Sequence, residues 1–130
     1  MVMVDSNVVI DFWRNPTDDM KREFLTHECC ICGVQIAELL YGAVSEKDSA
    51  AIESALSSSF TFIQIEDSDW SLLGKFLYRL RRKGIQVPFP DALIASLAIR
   101  YDIPVWTRDK HFHLIQSVFP DLKLFEGNMS

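Results

Sequence analysis

Four carboxylates lie at the edges of apolar segments that are spread over the whole chain. Asp5 follows Met-Val-Met-Val, Glu38 lies in Val-Gln-Ile-Ala-Glu-Leu-Leu, Asp91 in Pro-Phe-Pro-Asp-Ala-Leu-Ile-Ala, and Asp109 in Val-Trp-Thr-Arg-Asp. A charge at the edge of buried sequence is costly unless it is paired or bound to a cation. Carboxylate oxygens are the ligands that hard divalent cations prefer. These acids therefore predict metal-dependent chemistry on phosphate.

Each of these acids also has a simpler explanation when it is taken alone. An Asp at a strand-to-helix junction is often a helix cap that accepts backbone N–H bonds, and this applies to Asp5, Asp91 and Asp109. Glu38, taken alone, is explained as a boundary residue with an exposed tip. The metal-site hypothesis depends on all four acids acting together.

The elements that must position these acids alternate between strand and helix. Apolar runs predict strands at 2–4, 29–32, 61–65, 104–106 and 122–125, and helical spacing predicts helices from about 7 and over 16–27, 34–41, 45–57, 67–84, 91–101 and 109–115. This order predicts one α/β domain over 1–130, with a mostly parallel central sheet of about four to five strands flanked by helices on both faces.

That architecture gives the acids different positions. Ligands of open parallel sheets bind beyond the carboxyl ends of the strands, where Asp5 and Asp109 would both point. Glu38 is predicted inside an amphipathic helix, where it must face a polar pocket or a cation. Gly84 is predicted to end the helix that begins at about 67.

Composition and the distribution of apolar residues indicate where in the cell the protein is expected. The chain has 130 residues, of which 48% are hydrophobic, so it can bury a sizeable core. Asp5 and Asp11 interrupt the apolar start of the chain, and no signal peptide is evident. No apolar run approaches the roughly 20 residues that span a bilayer. We therefore expect a cytoplasmic protein without membrane contact.

The charge of the chain is uneven. The formal net charge is −5, which argues against broad, nonspecific affinity for nucleic acid. Five of the 13 basic residues nevertheless fall within nine positions, and these are Lys75, Arg79, Arg81, Arg82 and Lys83. A cation bound among the acids would offset their charge, so a nucleic-acid substrate stays compatible with the composition. The simpler explanation of the basic cluster is a solvated helix face.

The residues around the four acids resemble the PIN-domain family of ribonucleases, and most closely its small, VapC-like toxins. The resemblance covers nearly the whole chain and consists of Val-Asp-Ser-Asn-Val-Val-Ile-Asp at 4–11, Ala-Glu-Leu-Leu-Tyr-Gly-Ala at 37–43, Asp-Ala-Leu-Ile-Ala at 91–95 and Thr-Arg-Asp-Lys-His-Phe at 107–112. By this resemblance the acidic quartet is Asp5, Glu38, Asp91 and Asp109, supported by the hydroxyls of Ser6 and Thr107.

The sequence departs from the family pattern at two places. The stretch before Glu38 lacks the Ser or Thr that is often found a few residues upstream. His111 stands where an acid is frequent. His113 is two residues further on and so lies on a different helix face, which argues against a metal site made of the two histidines.

The resemblance implies an activity, a cofactor and partners. It implies an endoribonuclease that depends on Mg²⁺, with Mn²⁺ as a substitute, and cleaves RNA phosphodiesters by metal-activated water to leave a 5′-phosphate and a 3′-hydroxyl. Asp5 and Asp91 would be the principal metal ligands, with Glu38 and Asp109 completing the site directly or through water. The expected role is the toxin of a toxin–antitoxin pair. The expected partners are RNA, a cognate antitoxin protein and a second copy of the chain.

Three alternatives give different expectations. A haloacid-dehalogenase-like phosphotransferase also has an Asp after its first strand, but it needs a second Asp where this chain has Asn7. A non-catalytic PIN-like binding module tends to lose some of the acids, whereas all four are present here. A stand-alone RNA-processing nuclease shares every motif, and the absence of a neighbouring antitoxin gene would favour it.

Overall fold

Strands and helices alternate along the chain, which the computed structural model describes over residues 1–126. The elements are β1 (Val2–Val4), α1 (Ser6–Arg14), α2 (Asp18–Thr26), β2 (Cys29–Ile31), α3 (Gly33–Tyr41), α4 (Glu46–Ser59), β3 (Thr61–Phe62), α5 (Asp67–Arg82), α6 (Phe89–Tyr101), β4 (Val105–Trp106) and α7 (His111–Val118). Within these residues, no helix combines the length and apolar character that crossing a membrane requires.

The sheet has four parallel strands in the order β3-β2-β1-β4. The predicted strand at 122–125 is reduced to an isolated parallel bridge between Leu124 and Val105. Two backbone bonds hold it there, because the Val105 N–H donates to the Lys123 carbonyl and the Phe125 N–H donates to the Val105 carbonyl. The prediction of a mostly parallel α/β sheet with about four to five strands is confirmed.

The strands are buried on both faces because successive side chains point in opposite directions. One core contains Met3, Cys30 and Val105 and is covered by apolar residues of α5, α6 and α7. The other core contains Val2, Val4, Ile31 and Trp106 and is covered by residues of α1, α2, α3 and α4. The prediction of helices on both faces is therefore confirmed.

Helices α5 and α6 run antiparallel. Asp69, near the start of α5, forms an ion pair with Arg100, near the end of α6, at 2.9 Å. Helix α5 therefore ends beside the start of α6. Gly84 follows α5 with a φ of 75°, and the Gly84 and Ile85 N–H groups donate to the carbonyls of Arg81 and Leu80, both at 2.9 Å. These two bonds form a Schellman cap, and the predicted role of Gly84 is confirmed.

Candidate functional site

Asp5 connects the first strand, the first helix and the last strand of the sheet. It caps α1, where its Oδ1 accepts the Ser6 N–H at 2.9 Å. Its Oδ2 accepts the Thr107 hydroxyl at 2.7 Å. Parallel pairing of β1 with β4 brings Thr107 to this position, because each residue directly follows its strand. The side chain is a helix cap, and it also lies at the strand edge where ligands of parallel sheets bind.

Asp91 lies in the first turn of α6 without capping it. The helix begins two residues earlier than predicted, at Phe89, because Pro90 suits the first turn, where a missing N–H costs no helical bond. Asp91 is only 9% exposed. Its Oδ2 lies 3.1 Å from the His111 Nδ1.

Asp109 and His111 form a turn at the start of α7. The Asp109 N–H donates to the Thr107 hydroxyl oxygen at 3.0 Å. The Asp109 Oδ1 accepts the His111 N–H at 3.0 Å and lies 2.8 Å from the His111 Nδ1. Helix α7 therefore begins at His111, two residues after the predicted start. The His111 ring therefore contacts the carboxylates of both Asp91 and Asp109.

Glu38 reaches the same region from α3. Its side chain is exposed, and its Oε1 accepts the Ser6 hydroxyl at 3.1 Å. Ser6 thus contacts two of the acids, since its backbone N–H binds Asp5 and its hydroxyl binds Glu38. The exposure of Glu38 fits the simpler explanation of a boundary residue, and its bond to Ser6 brings its carboxylate near Asp5.

Gln35 fixes the position of α3 relative to β1, and sequence reasoning did not identify it. Its amide nitrogen donates to the Val4 carbonyl at 3.1 Å, and its amide oxygen accepts the Cys32 N–H at 3.0 Å. Gln35 is fully buried, so these bonds are shielded from water. Cys32, predicted as the end of a strand, is the N-cap residue of α3.

Burial and neighbouring negative charge raise the pKa values of Asp91 and Asp5. Burial, followed by the charges of Asp5 and Asp109, raises the pKa of Asp91 to about 6, against the opposing effect of His111. Burial also raises the pKa of Asp5, although the bonds from Thr107 and Ser6 oppose this shift. The direction of these shifts agrees with the hydrogen bonds that connect Asp5, Asp109 and Asp91 through Thr107 and His111.

The pKa of Glu38 follows the same pattern at the margin of this site. Partial burial raises it, the Ser6 hydroxyl opposes the rise, and the charge of Asp5 adds to it. Asp5 is thus the acid whose charge reaches both Glu38 and Asp91. The structure brings all four predicted acids, with Ser6 and Thr107, to one end of the sheet.

The donor set fits a divalent cation. Ligand atoms of Asp91, Asp109 and His111 all lie within 4.8 Å of one another. A cation between these groups would offset the negative charge that helps to raise the pKa of Asp91. Carboxylate oxygens suit Mg²⁺ and Mn²⁺, and an imidazole nitrogen suits transition metals better than Mg²⁺.

His111 is the member of this site that sequence reasoning did not include. Its spacing from His113 excluded a two-histidine site, and His113 is indeed exposed. The departure from the family pattern at His111 was the available signal. Only the packing of α7 beside α6 shows that the ring lies between two aspartates.

Comparisons with known proteins agree with this fold. The PIN domain family matches residues 2–117. The chain is 25% identical over 126 residues to Ribonuclease VapC1 of Methanocaldococcus jannaschii, covering 96% of this chain and 87% of that protein. DNA-bound VapBC from Salmonella typhimurium superposes with a TM-score of 0.83 at 22% identity, covering 95% of this chain and 96% of that one. VapBC-1 from nontypeable Haemophilus influenzae superposes with a TM-score of 0.81 at 22% identity, covering 97% and 98%. The chain therefore belongs to the PIN-domain family.

Proposed function

We propose that this protein is a divalent-metal-dependent endoribonuclease and the toxin of a toxin–antitoxin pair. The observation that carries the proposal is the convergence of Asp5, Glu38, Asp91 and Asp109, which the contacts of Ser6, Thr107 and His111 connect at one end of the sheet. Membership of the PIN-domain family supports it, as does the similarity to a protein named Ribonuclease VapC1. The likeness to VapBC complexes supports the pairing with an antitoxin.

The proposed cofactor is Mg²⁺, with Mn²⁺ as a substitute. When bound, it would supply activation of water and stabilisation of the attacking and leaving oxygens at a phosphodiester. Asp5 and Asp91 are the proposed principal ligands, with Asp109 and Glu38 completing the site directly or through water. Mg²⁺ keeps several waters, so one or two carboxylates per ion are sufficient.

The remaining polar residues of the site hold these carboxylates in place. The Thr107 hydroxyl orients Asp5 from β4, and the Ser6 hydroxyl orients Glu38 from α1. His111 lies against both Asp91 and Asp109 and keeps their oxygens close together for a cation. Because Asp91 has a pKa of about 6, it can take up or release a proton near neutral pH when no cation is bound.

Cleavage of RNA by the purified protein tests the nuclease proposal. We expect Mg²⁺ to support cleavage that leaves a 5′-phosphate, and EDTA to stop it. Asp91→Asn should abolish cleavage, whereas Asp121→Asn, at an exposed aspartate outside the site, should not. Parental cleavage by a folded Asp91→Asn protein would refute the site assignment.

Growth after expression tests the toxin proposal separately. Expression without a partner should arrest growth, and Asp91→Asn should relieve the arrest at equal protein level. Unchanged growth with soluble, RNA-cleaving protein would instead favour a stand-alone RNA-processing nuclease. Sequencing the 5′ ends of RNA fragments after brief induction would identify the substrate.

We further propose that the protein forms a homodimer. Strongly exposed apolar side chains at the end of α3 and just after it support an interface there, since Tyr41 is 92% and Val44 is 88% exposed. The molar mass from light scattering tests this. A dimer that Tyr41→Ser converts to monomer is expected, and a monomeric parent at all concentrations would contradict the proposal.

A further inference from the structure

The C-terminal end of α5 presents an arginine-rich surface with an exposed aromatic ring. Tyr78, Arg81 and Arg82 lie three and four residues apart and therefore share one helix face. The Tyr78 side chain is 53% exposed. The Arg81 guanidinium carbon lies 5.8 Å from the centre of the Tyr78 ring. Lys83 and Gly84 then close the helix.

This positive charge is not neutralised by acids of the fold. Among residues 1–126, the five cations Lys75, Arg79, Arg81, Arg82 and Lys83 form no ion pair within 4.0 Å, whereas Arg22, Arg100 and Arg108 each have an acidic partner. Basic residues in the last turn of a helix are favoured by its dipole, and this alone would explain a solvated face. The position of the surface and the groove beside it point to a ligand as well.

The surface lies at the same end of the molecule as the acid site. Asp69 and Arg100 pair at the opposite end of the antiparallel helices α5 and α6. Tyr78 is nine residues after Asp69, and Asp91 is nine residues before Arg100, so each lies about 13 Å along its helix from the ion pair. The Tyr78 end of α5 therefore lies toward the Asp91 end of α6, on the far side of each helix from the ion pair.

A groove borders this surface beside the segment that connects α5 to α6. It encloses about 530 Å³ between the Gly74 to Arg81 face of α5 and the segment 85–87. Ile85 and Val87 pack against the core, which together with the Schellman cap fixes the outer wall of the groove. The chain then passes to Phe89, which is 54% exposed and stands two residues before Asp91.

We propose that this groove binds a single-stranded segment of the RNA substrate adjoining the scissile phosphodiester. The inference rests on the proposed ribonuclease function and assigns part of its substrate contact. Arg81 and Arg82 would contact phosphates, and the Tyr78 ring would stack on a base. An unpaired positive surface complements a polyanion, and an exposed ring beside it is typical of single-strand binding. An acidic protein segment would need no stacking ring, so the exposed Tyr78 side chain favours RNA as the occupant.

RNA affinity without turnover tests the proposal. Fluorescence anisotropy of a labelled single-stranded RNA is measured with the full-length protein in EDTA, so that metal-dependent cleavage does not interfere. Arg81→Ala/Arg82→Ala should lower the affinity about tenfold and reduce the slope of log K against log salt by about 1.4, or roughly 0.7 for each phosphate contact. The control variant Arg22→Ala/Lys47→Ala changes the net charge equally at exposed positions of α2 and α4 and should bind like the parent.

The ring is tested separately from the charges. Tyr78→Ala should lower the RNA affinity about tenfold, whereas Tyr78→Phe keeps the stacking face and should bind like the parent. Poly-glutamate should compete with RNA poorly at equal charge concentration. Effective competition by poly-glutamate together with an unaffected Tyr78→Ala variant would assign the surface to acidic proteins and overturn the proposal. Equal losses in the two double variants would overturn it as well.

Kinetics distinguish failure of this surface from failure of the nuclease proposal. The Arg81→Ala/Arg82→Ala variant should raise KM several-fold while kcat is retained. If the parent cleaves RNA and this variant shows parental affinity and KM, the surface assignment is wrong and the nuclease stands. If the parent binds RNA through this surface but cleaves none with Mg²⁺ or Mn²⁺, the nuclease assignment is wrong and the surface stands.

Discussion

Asp69 and Asp91 are both buried, and they occupy opposite ends of the α5–α6 pair. Asp69 is 2% exposed, accepts two bonds from Arg100 at 3.0 and 2.9 Å, and accepts the Glu66 N–H at 2.7 Å. Within residues 1–126, Asp91 has no arginine partner and lies against the His111 ring, and its pKa rises to about 6. The fold thus neutralises the aspartate that joins two helices and leaves the acids at the sheet edge available to a ligand.

The largest expected difference is in the rate of RNA cleavage between the Asp91→Asn and Asp69→Asn variants. Asp91→Asn should lower the rate of RNA cleavage about a thousandfold, because metal-ion charge stabilisation is worth several kcal/mol and each 1.4 kcal/mol is tenfold in rate. Asp69→Asn should leave the rate of the folded enzyme within a few-fold of the parent and lower its melting temperature. Steady-state kinetics and circular dichroism melts measure both. Loss of cleavage in a well-folded Asp69→Asn protein would show that Asp69 is not purely structural.

Substitution of His111 tests whether the site of Asp91 and Asp109 binds a divalent cation. His111→Ala removes the group that keeps the Asp91 and Asp109 oxygens together, and it should weaken Mn²⁺ binding by about 10- to 100-fold, the range for groups that orient metal ligands. His113→Ala, at an exposed position of the same helix, is the matched control. Isothermal titration calorimetry gives both affinities. Equal Mn²⁺ affinities for the two variants would exclude His111 from the site.

Removing the Arg100 guanidinium, which pairs with Asp69, should lower the stability of the fold and not its metal affinity. Arg100→Gln leaves Asp69 buried without its partner, and it should lower the melting temperature by roughly 10 °C. Lys123→Gln removes the cation of the exposed Lys123–Asp102 pair, whose side chains are 59% and 75% exposed, and it should change the melting temperature little. Similar shifts for both variants would mean that the Asp69 pair is no more structural than a surface contact.

The four acids of the site could be predicted from the sequence because each is marked by its neighbours in the chain. An apolar run followed by an acid marks the end of a parallel strand, and Asp5 and Asp109 lie where that rule places them. Helix caps also depend on neighbouring residues, so the role of Gly84 could be predicted. The ends of the strands and helices could be located less precisely. The strand predicted at 61–65 is a strand only over Thr61–Phe62, and its last bond to β2 runs from the Ile63 N–H to the Ile31 carbonyl at 2.8 Å, because alternation does not show where pairing stops.

The contacts that complete the site could not be predicted because they join distant segments. Gln35 bonds to Val4 across 31 positions, and it reads as one polar residue in an amphipathic helix. His111 meets Asp91 across 20 positions, which depends on how α7 packs beside α6. The Asp69–Arg100 pair spans 31 positions and depends on the antiparallel arrangement of two helices. No periodicity or cap encodes such pairings.

The smallest expected effect is the pH dependence of stability at Asp91. Its pKa is raised from 3.8 to about 6 in the fold, so the folded protein takes up a proton between pH 6 and 4 that the unfolded chain does not. Protonation therefore stabilises the fold as the pH falls through this window, and the contribution is lost as the pH rises through 6. Asp5 and Glu38, whose pKa values are also raised, act in the same direction.

The difference in melting temperature between Asp91→Asn and the parent isolates this contribution from the other titrating groups. The variant lacks the charge, so it should melt a few degrees above the parent at pH 7 and together with it at pH 4. Mg²⁺ at pH 7 should raise the melting temperature of the parent and narrow the gap, because a ligand bound only to the fold stabilises it. A gap that does not change with pH would mean that asparagine acts through packing. A gap that narrows with both acid and Mg²⁺ would identify the repulsion among the carboxylates as the cause.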